Sequence, residues 1–519
     1  MKNRLSKYIS FSLLALLIFT IISCSGSKRL GSAQKAYEIG EYHRSTVLFN
    51  KIYKKEKNKY YKGEISFLLG ESYRHINQPR KSNSMYGRAY RFEYPHPELA
   101  LFYAEELRRV EKYDEAIEFY DLYMEKYFGD QRANNGKASC RLAQNPPPHT
   151  KHKVEKLRRI NTKNSNFSPF IDPEDPSQIY FTSLAPYKKT KRYESQITGQ
   201  GLATLKTAIH NARGEWQEPE YLIPEEPSTD WEDGTFSLTD DGKDAYFTRT
   251  RYDENGPMGA EIWTIKKMGG RWGEATKVEL GSDSLIYAHP AISPDGKTLY
   301  FVSDMPEGFG GKDIWKVEQA NDGWSTPINL GSQINTAGDE MFPYVRDNNT
   351  IYFSSNGHIG YGGLDIFEAK LIEEDYWDIK NMGQPINSIA DDFGITFHKN
   401  RNAGFFSSSR DNARGLDNIY SFEEPVIQIV LYGSIKIENQ QDSIPQNTKA
   451  RLIGTEGTNM TIDVQPTGEI MTLLKPENDY ILQISSPGFF NQSRKISTKG
   501  VEKNKEIELS FQLESINNN

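Results

Sequence analysis

The chain has 519 residues, of which 26% are charged, and a formal net charge of −7 at pH 7. This length exceeds what one hydrophobic core organises, so several domains are expected. Residues 28–150 carry 22 basic and 16 acidic side chains, whereas the part after Arg159 is acidic. Such a distribution indicates separate surfaces for separate partners, and it lacks the concentrated basic face that nucleic-acid binding requires.

The first 23 residues have the pattern of a secretory signal. Lys2, Arg4 and Lys7 precede an apolar run from Phe11 to Ile22. A run of twelve residues is too short for a membrane-spanning helix, but it suits the core of a signal peptide. The sequence therefore predicts a signal peptide over residues 1–23.

The end of this signal resembles a bacterial lipobox, with Ile21-Ile22-Ser23 before Cys24. The resemblance implies that Cys24 is the lipid attachment residue and that a lipidated linker spans 24–31; the alternative is a plain signal peptide with an incidental cysteine. Ser25, rather than Asp, resembles the pattern of outer-membrane lipoproteins, on the periplasmic side or at the cell surface. Cys140 has no partner for a disulfide and is predicted to be a core residue.

Residues 32–145 have a helical pattern with little strand character. Small residues and aromatics recur around three turns, Gly40-Glu41-Tyr42, Asn77-Gln78-Pro79 and Glu111-Lys112-Tyr113. This spacing resembles tetratricopeptide (TPR) repeats, whose stacked helical pairs form a groove. The resemblance implies a groove that binds a protein partner; a spacer is the alternative. The basic run of residues 51–62 predicts either a solvated helix face or a contact with anionic lipids or polymers.

After a linker at 146–152, residues 153–424 contain a repeat of about 52 residues. Three marks share this period: an aromatic pair, a central isoleucine in a following strand, and a tryptophan after a polar turn. The aromatic pairs begin at Tyr180, Tyr246, Tyr300, Tyr352 and Phe405; the isoleucines are Ile262, Ile314, Ile366 and Ile419; the tryptophans are Trp216, Trp272, Trp324 and Trp377. Short strands at this period predict a β-propeller.

The repeat also predicts how the ring closes. The fifth unit ends at Phe422 without a last strand, so a strand from Lys153 to Ile160 is expected to complete it. Five blades are favoured, and six are possible if the long first interval hides extra strands. The stretch "SPDGKTLYFVSD" resembles the WD40-like repeats of the TolB family, which implies the same propeller fold.

The 52-residue period is absent from residues 425–513, where the pattern predicts about seven short strands. A tail follows at 514–519. Gly433, Gly468, Tyr480 and "SSPGFF" resemble the carboxypeptidase regulatory-like domain, a transthyretin-like β-sandwich. The predicted fold class is therefore a multidomain α plus all-β chain. This domain order resembles Bacteroidota lipoproteins of type IX secretion and gliding, here without the OmpA-type domain that would bind peptidoglycan.

The sequence contains no catalytic motif, so no enzyme activity, cofactor or metal is expected. Two weaker alternatives concern metals. His289, His358 and His398 could converge on a metal, although packing roles are favoured. Asp295, Asp313, Asp365 and Asp417 could bind calcium, although hydrogen bonding within turns is favoured.

Two functions are compatible with these patterns. The favoured one is a periplasm-facing, outer-membrane lipoprotein that acts as a protein–protein interaction scaffold, with partners in the TPR groove and on the propeller face. The alternative is a lipoprotein that binds or processes carbohydrate with the propeller face. Exposed Trp and Tyr side chains near paired carboxylates would support the alternative.

Overall fold

The computed structural model describes residues 30–519 except 189–192, 224–227, 322, 374–375, 413, 438–443, 502 and 517–519. The predicted signal peptide and Cys24 lie outside the described residues. The chain divides into two compact units, with the boundary between Glu424 and Pro425.

Seven described helices open the first unit. They are α1 (30–38), α2 (Tyr42–Tyr53), α3 (Lys59–His75), α4 (Pro79–Arg91), α5 (Leu99–Arg109), α6 (Tyr113–Met124) and α7 (Gln131–Gln144). Glycines facing aromatic rings allow close helix packing: a Cβ on Gly70 would lie 2.7 Å from the ring of Tyr86, and one on Gly136 would lie 2.3 Å from that of Tyr120. The recurring small and aromatic residues of the sequence are therefore contact pairs between helices.

Five antiparallel sheets follow, and their arrangement is consistent with propeller blades. The first sheet contains β2 (Asn166–Ile171), β3 (Gln178–Ser183), β4 (Thr204–Ile209) and β5 (Glu220–Tyr221), and the second contains β6 (Trp231–Leu238), β7 (Asp244–Asp253), β8 (Gly256–Met268), β9 (Arg271–Trp272) and β10 (Thr276–Lys277). The third sheet contains β11 (Tyr287–Ile292), β12 (Thr298–Ser303), β13 (Asp313–Ala320), β14 (Gly323–Trp324) and β15 (Ile328–Asn329). The fourth sheet contains β16 (Glu340–Asp347), β17 (Thr350–Ser355), β18 (Asp365–Glu373) and β19 (Tyr376–Asn381).

The fifth sheet joins the two ends of this region. It contains β20 (Asp392–Phe397), β21 (Ala403–Ser408), β22 (Asn418–Glu423) and, as its outer strand, β1 (Lys153–Lys156). β1 pairs antiparallel with β22, from Lys153 opposite Glu423 to Lys156 opposite Tyr420. This pairing agrees with the closing strand expected from the sequence.

Each recurring aromatic pair lies on the second strand of its sheet. The second members, Phe181, Phe247, Phe301, Phe353 and Phe406, are all at most 2% exposed. Because successive side chains of a strand point to opposite faces, these pairs fill the spaces on both sides of the sheet. Apolar side chains on both faces are what a sheet packed between two neighbours requires.

A repeated asparagine fastens the loop before each of three sheets to the third strand of the preceding one. Asn335 accepts from the Ile314 N–H at 2.8 Å and donates to the Ile314 carbonyl at 3.0 Å. Asn387 holds Ile366 in the same way, and Asn161 holds Ile419. The side-chain amide thus makes the pair of backbone hydrogen bonds that a neighbouring strand would otherwise make.

Every first strand has a β-bulge with one residue in the left-handed backbone region. These residues are Ser168, Thr235, His289, Phe342 and Gly394, with φ between 43° and 59°. Together they line a space of about 20 Å³, so the five first strands meet at the centre. Phe170 and Tyr344 lie 6.2 Å apart between sheets that are not neighbours, and such aromatic contacts fill this centre.

The second unit is a sandwich of two sheets. Its strands are β23 (Ile429–Ile437), β24 (Lys449–Gly454), β25 (Asn459–Ile462), β26 (Glu469–Leu474), β27 (Asp479–Ser485), β28 (Gln492–Ser497) and β29 (Lys505–Leu513). One sheet has the order β26-β23-β29, and the other has the order β25-β24-β27-β28. Both contribute to one core, with Leu431 and Leu482 almost fully buried. Alternating burial along β24 and β27 follows from the two-residue period of a strand.

Candidate functional site

Alternate helices of the stack hold a loop of the fourth sheet. We call residues 357–364, between β17 and β18, the glycine loop. Asn135 of α7 donates to the Gly357 carbonyl at 2.8 Å, and the Gly360 N–H donates to Ser139 Oγ at 3.1 Å. Arg108 of α5 donates to the Gly362 carbonyl. These two helices are therefore joined to the fourth sheet by hydrogen bonds to its loop.

Beside the glycine loop lies a largely buried ion network. Arg109 Nη2 lies 2.9 Å from Asp391 Oδ2, and Arg109 Nη1 lies 3.2 Å from Glu106 Oε1. The side chains of Arg109, Asp391 and Glu106 are 14%, 12% and 1% exposed. Burial raises the pKa of Glu106, and Arg109 opposes this rise. Charges in such a position are tolerated because each has an opposite partner.

Asp365, the first residue of β18, holds the glycine loop through hydrogen bonds to its backbone. Its Oδ2 accepts the N–H groups of Tyr361 and Gly362, both at 2.9 Å, while Oδ1 has no hydrogen-bond partner among the described residues. Burial raises the pKa of Asp365 to about 7 from its usual 3.8, although the two N–H groups oppose the shift.

This raised pKa predicts how the stability of the first unit depends on pH. Between about pH 4 and pH 7 the folded state binds more protons at Asp365 than the unfolded state does. The contribution of Asp365 to stability is therefore complete below pH 4 and is lost as the pH rises through 7. Relative to Asp365→Asn, the wild type should lose on the order of 3 kcal/mol over this range. Denaturant titrations read by tryptophan fluorescence measure this, and parallel pH curves for the two proteins would contradict it.

The other end of the first strands opens into a cavity of about 480 Å³, which we call the mouth. The mouth and the helices lie at opposite ends of β20. This strand begins directly after Asp391, which pairs with Arg109 of α5, and it ends at Phe397, which lines the mouth. A strand of this length spans roughly 20 Å. All five sheets contribute apolar side chains to the lining, namely Phe170, Leu238, Ile292, Tyr344 and Phe397.

The rim of the mouth is charged. Lys399, before the second strand of the fifth sheet, lies 2.8 Å from Asp240 of the second sheet. Arg346 stacks over the Phe397 ring at 4.2 Å and donates to Asn402 Oδ1 at 3.2 Å. A cavity of this size with an apolar floor and a few polar groups is typical of ligand sites.

The three predicted histidines lie in different parts of the sheets. His289 is at the central bulge, stacked on Phe342 with ring centroids 3.9 Å apart, and burial lowers its pKa to about 3. His358 contacts the Ile334 carbonyl through Nε2 at 2.9 Å, and His398 lies at the mouth, edge-on to Phe405. Each ring therefore has a separate packing or hydrogen-bonding contact.

Asp295, Asp313 and Asp365 make the hydrogen bonds within turns that the sequence favours. Asp313 accepts from the N–H groups of Phe309 and Gly310, and Asp295 accepts from Ser293 Oγ and the Lys297 N–H. Asp417 differs, because its backbone N–H donates to Ser165 Oγ. Burial raises the pKa of Asp417 to about 7, with Asp391 as the next cause.

Two further observations concern metals and membranes. Among the described residues, His, Cys, Asp and Glu side chains form no group of three that could hold a metal ion. None of the described helices has both the length and the hydrophobicity needed to cross a bilayer. Cys140 is a buried free cysteine, and burial raises the pKa of its thiol to about 11.

The sequence did not reveal the mouth or the contact between helices and sheets. The lining of the mouth comes from five sheets that are far apart in the chain. For Arg108, Arg109 and Glu106, nothing in their spacing indicates which residues cover them. The repeated turns after the first strands were a usable signal, since the residues of these turns converge on the mouth.

Comparisons with known proteins give only distant similarities. No protein-family model matches the chain, and no curated protein is significantly similar to it. An α-L-arabinofuranosidase from Lactobacillus brevis is 13% identical over 51% of this chain and 92% of its own, with a TM-score of 0.34. A protein of unknown function from Dyadobacter fermentans is 9% identical over 53% of this chain and 99% of its own, with a TM-score of 0.34.

A prolyl endopeptidase is 13% identical, with a TM-score of 0.26. The alignment covers 78% of this chain, which spans about half (54%) of that enzyme. At TM-scores this low, none of these similarities supports an argument about function.

Proposed function

We propose that this chain is a non-enzymatic interaction scaffold, held at the periplasmic side of the outer membrane by a lipid on Cys24. In this proposal the helices are TPR-like, the five sheets are a TolB-type propeller, and residues 425–513 are a carboxypeptidase regulatory-like sandwich. A role in type IX secretion or gliding follows from the resemblance in domain order.

The observation that carries the proposal is the joining of helices and sheets into one compact unit with a free mouth. Buried ion pairs around Arg109 fix the helices to one end of the sheets. The charges of Arg109, Asp391 and Glu106 bind one another, so this network serves to hold the helices on the sheets. A fixed platform with an open cavity is suited to holding a partner.

The mouth is the proposed partner site, and a segment of another protein is the proposed occupant. Its apolar floor, with Phe170, Leu238 and Ile292, suits a hydrophobic side chain. The rim offers both signs of charge, from Asp240, Arg346 and Lys399, which suits the polar backbone and flanking residues of a polypeptide. The glycine loop already contacts α5 and α7, so the proposal places the main contact at the mouth.

The carbohydrate alternative gains no specific support from the mouth. Its described lining residues include no tryptophan. Trp231 is partly exposed, but it lies in a separate groove, where the Arg249 guanidinium stacks on its ring at 4.6 Å.

Affinity purification from gently solubilised envelopes tests the proposal. Tagged full-length protein is compared with Cys24→Ala and with a mouth variant, Arg346→Ala/Lys399→Ala. Outer-membrane partners should be recovered with the wild type and reduced at least tenfold with both variants. The matched control, Lys316→Ala/Lys370→Ala, removes two charges from outer parts of the third and fourth sheets and should retain the partners. Recovery of the protein alone, with saturable glycan binding by calorimetry, would overturn the proposal.

A further inference from the structure

We propose that one end of the helical stack lies against an anionic phospholipid surface and fixes the orientation of the protein on the membrane. We call this region the basic end; it comprises residues 51–62, around the α2–α3 turn, and residues 88–94, at the end of α4. The inference rests on the proposed lipid anchor and adds a second, electrostatic contact to it.

The basic end has an excess of exposed positive charge. Residues 51–62 contain six lysines and one acidic residue, Glu56. Lys51, Lys54, Lys55 and Lys57 are exposed, and within the described part of the chain no ion pair joins them to an acidic side chain. Lys59 pairs with Glu93 at 3.0 Å, but both side chains are more than half exposed. Unpaired lysines in this number complement the negative charge of anionic headgroups.

Exposed tyrosines accompany these lysines. Tyr60, Tyr61 and Tyr90 are 53%, 46% and 43% exposed, although each has a large apolar ring. Tyr60 packs edge-on against Tyr61 and also against Tyr94 of the neighbouring turn, so these three rings form one patch, whereas Tyr90 packs against Phe119. Tyrosine is favoured at membrane interfaces because its ring is apolar and its hydroxyl is polar.

The topology places this patch close to the proposed anchor. α1 and α2 run antiparallel through the turn at Gly40, so the end of α2 lies beside the start of α1. Leu30, the first described residue, packs in the same cluster as Ile52 and Tyr53. Leu30 is the sixth residue after Cys24, and a chain of this length reaches at most about 21 Å. A lipid on Cys24 therefore holds the basic end close to the headgroups.

The opposite ends of the same helices contact the sheets. The His43 N–H, at the start of α2, donates to the Ile197 carbonyl at 2.9 Å. Asn77, after α3, donates to the Gly415 carbonyl at 3.3 Å. With the basic end on the membrane, the five sheets would stand away from it, and the mouth would face further into the aqueous phase.

Energy transfer from the protein to labelled vesicles tests this orientation. The acylated full-length protein, purified from membranes, carries a donor dye on the cysteine introduced by Lys59→Cys. Cys140 should not react with the dye, because it is buried and its thiol pKa is raised. Vesicles contain acceptor lipid in either phosphatidylcholine alone or phosphatidylcholine with phosphatidylglycerol. The test variant carries Lys51→Gln, Lys54→Gln, Lys55→Gln and Lys57→Gln. The matched control makes the same charge change in the second unit, with Lys449→Gln, Lys475→Gln, Lys495→Gln and Lys505→Gln.

Phosphatidylglycerol should increase energy transfer, and about 0.5 M salt should reverse the increase because it screens the charges. The test variant should lose the increase, and its affinity for anionic vesicles should fall at least tenfold. The control should behave like the wild type. Equal energy transfer in both lipids, or equal loss in test and control variants, would overturn the inference.

Mass spectrometry of the purified protein separates this inference from the proposed anchor. An unmodified Cys24 would refute the lipid anchor. In that case sedimentation with the same vesicles still decides the surface contact: retention by phosphatidylglycerol that the test variant loses supports the inference, and no retention refutes it.

Discussion

Replacing Arg109 with alanine is expected to lower the free energy of unfolding of the first unit by about 3–5 kcal/mol. The substitution leaves Asp391 and Glu106 buried without their cation, and Glu106 is only 1% exposed. Removing one member of a buried pair leaves an uncompensated charge, which is far more destabilising than losing a surface pair. Denaturant unfolding read by tryptophan fluorescence measures the effect, because all seven tryptophans precede residue 425.

Lys112→Ala is the matched control for Arg109→Ala. Lys112 lies in the next turn and pairs with Glu115 at 2.7 Å, but both side chains are about half exposed. Surface pairs of this kind contribute little to stability, so the loss should be far smaller than for Arg109→Ala. Equal losses in the two variants would show that burial of the Arg109 network does not matter.

Phe353→Ala is expected to lower the stability of the first unit by about 3–5 kcal/mol, through lost burial and the cavity left behind. Phe353 is fully buried between the third and fourth sheets and stacks on Phe367 with ring centroids 5.7 Å apart. Its environment contains Val302 and Ile314 of the third sheet, so the loss should weaken the contact between sheets. The same denaturant titration measures it.

Ile372→Ala provides the comparison within the fourth sheet. Ile372 lies on β18 but is 58% exposed, so its truncation should change stability by no more than about 0.5 kcal/mol. A small effect for Phe353→Ala would mean that the sheets do not depend on this packing.

The repeat predicted much of the sheet region because it repeats physical requirements. An aromatic pair marks a strand buried on both faces, and the missing strand after Phe422 indicated β1. The Ile-Asn pairs at Asn161, Asn335 and Asn387 were visible in the sequence, and the structure shows that these amides hold neighbouring strands. Patterns that recur from sheet to sheet therefore made this part of the fold predictable.

The central bulges could not be predicted by the usual rule for proline. Pro169, Pro290 and Pro343 directly follow Ser168, His289 and Phe342. A residue before proline normally favours extended backbone, yet these three have positive φ. Proline is compatible with a bulge because it brings no N–H that the interrupted ladder would leave unpaired. Only the surrounding sheets determine this conformation.

The contact between helices and sheets escaped prediction for a different reason. Arg108 and Arg109 resemble ordinary surface residues, and their partners Gly362 and Asp391 are more than 250 residues away. Local patterns contain no information about such pairs. The candidate site was therefore predictable in its repeated turns but not in its location at the end opposite the helices.

The pairing of β1 with β22 sets an order of events for the newly made chain. β1 emerges from the ribosome roughly 265 residues before β22, so its hydrogen-bonding edge stays open while all five sheets are made. A polypeptide that stops before β22 keeps two unpaired edges, which are templates for aggregation. The closing strand thus couples closure of the five sheets to synthesis of β22, and a copy that ends earlier keeps these strand edges exposed.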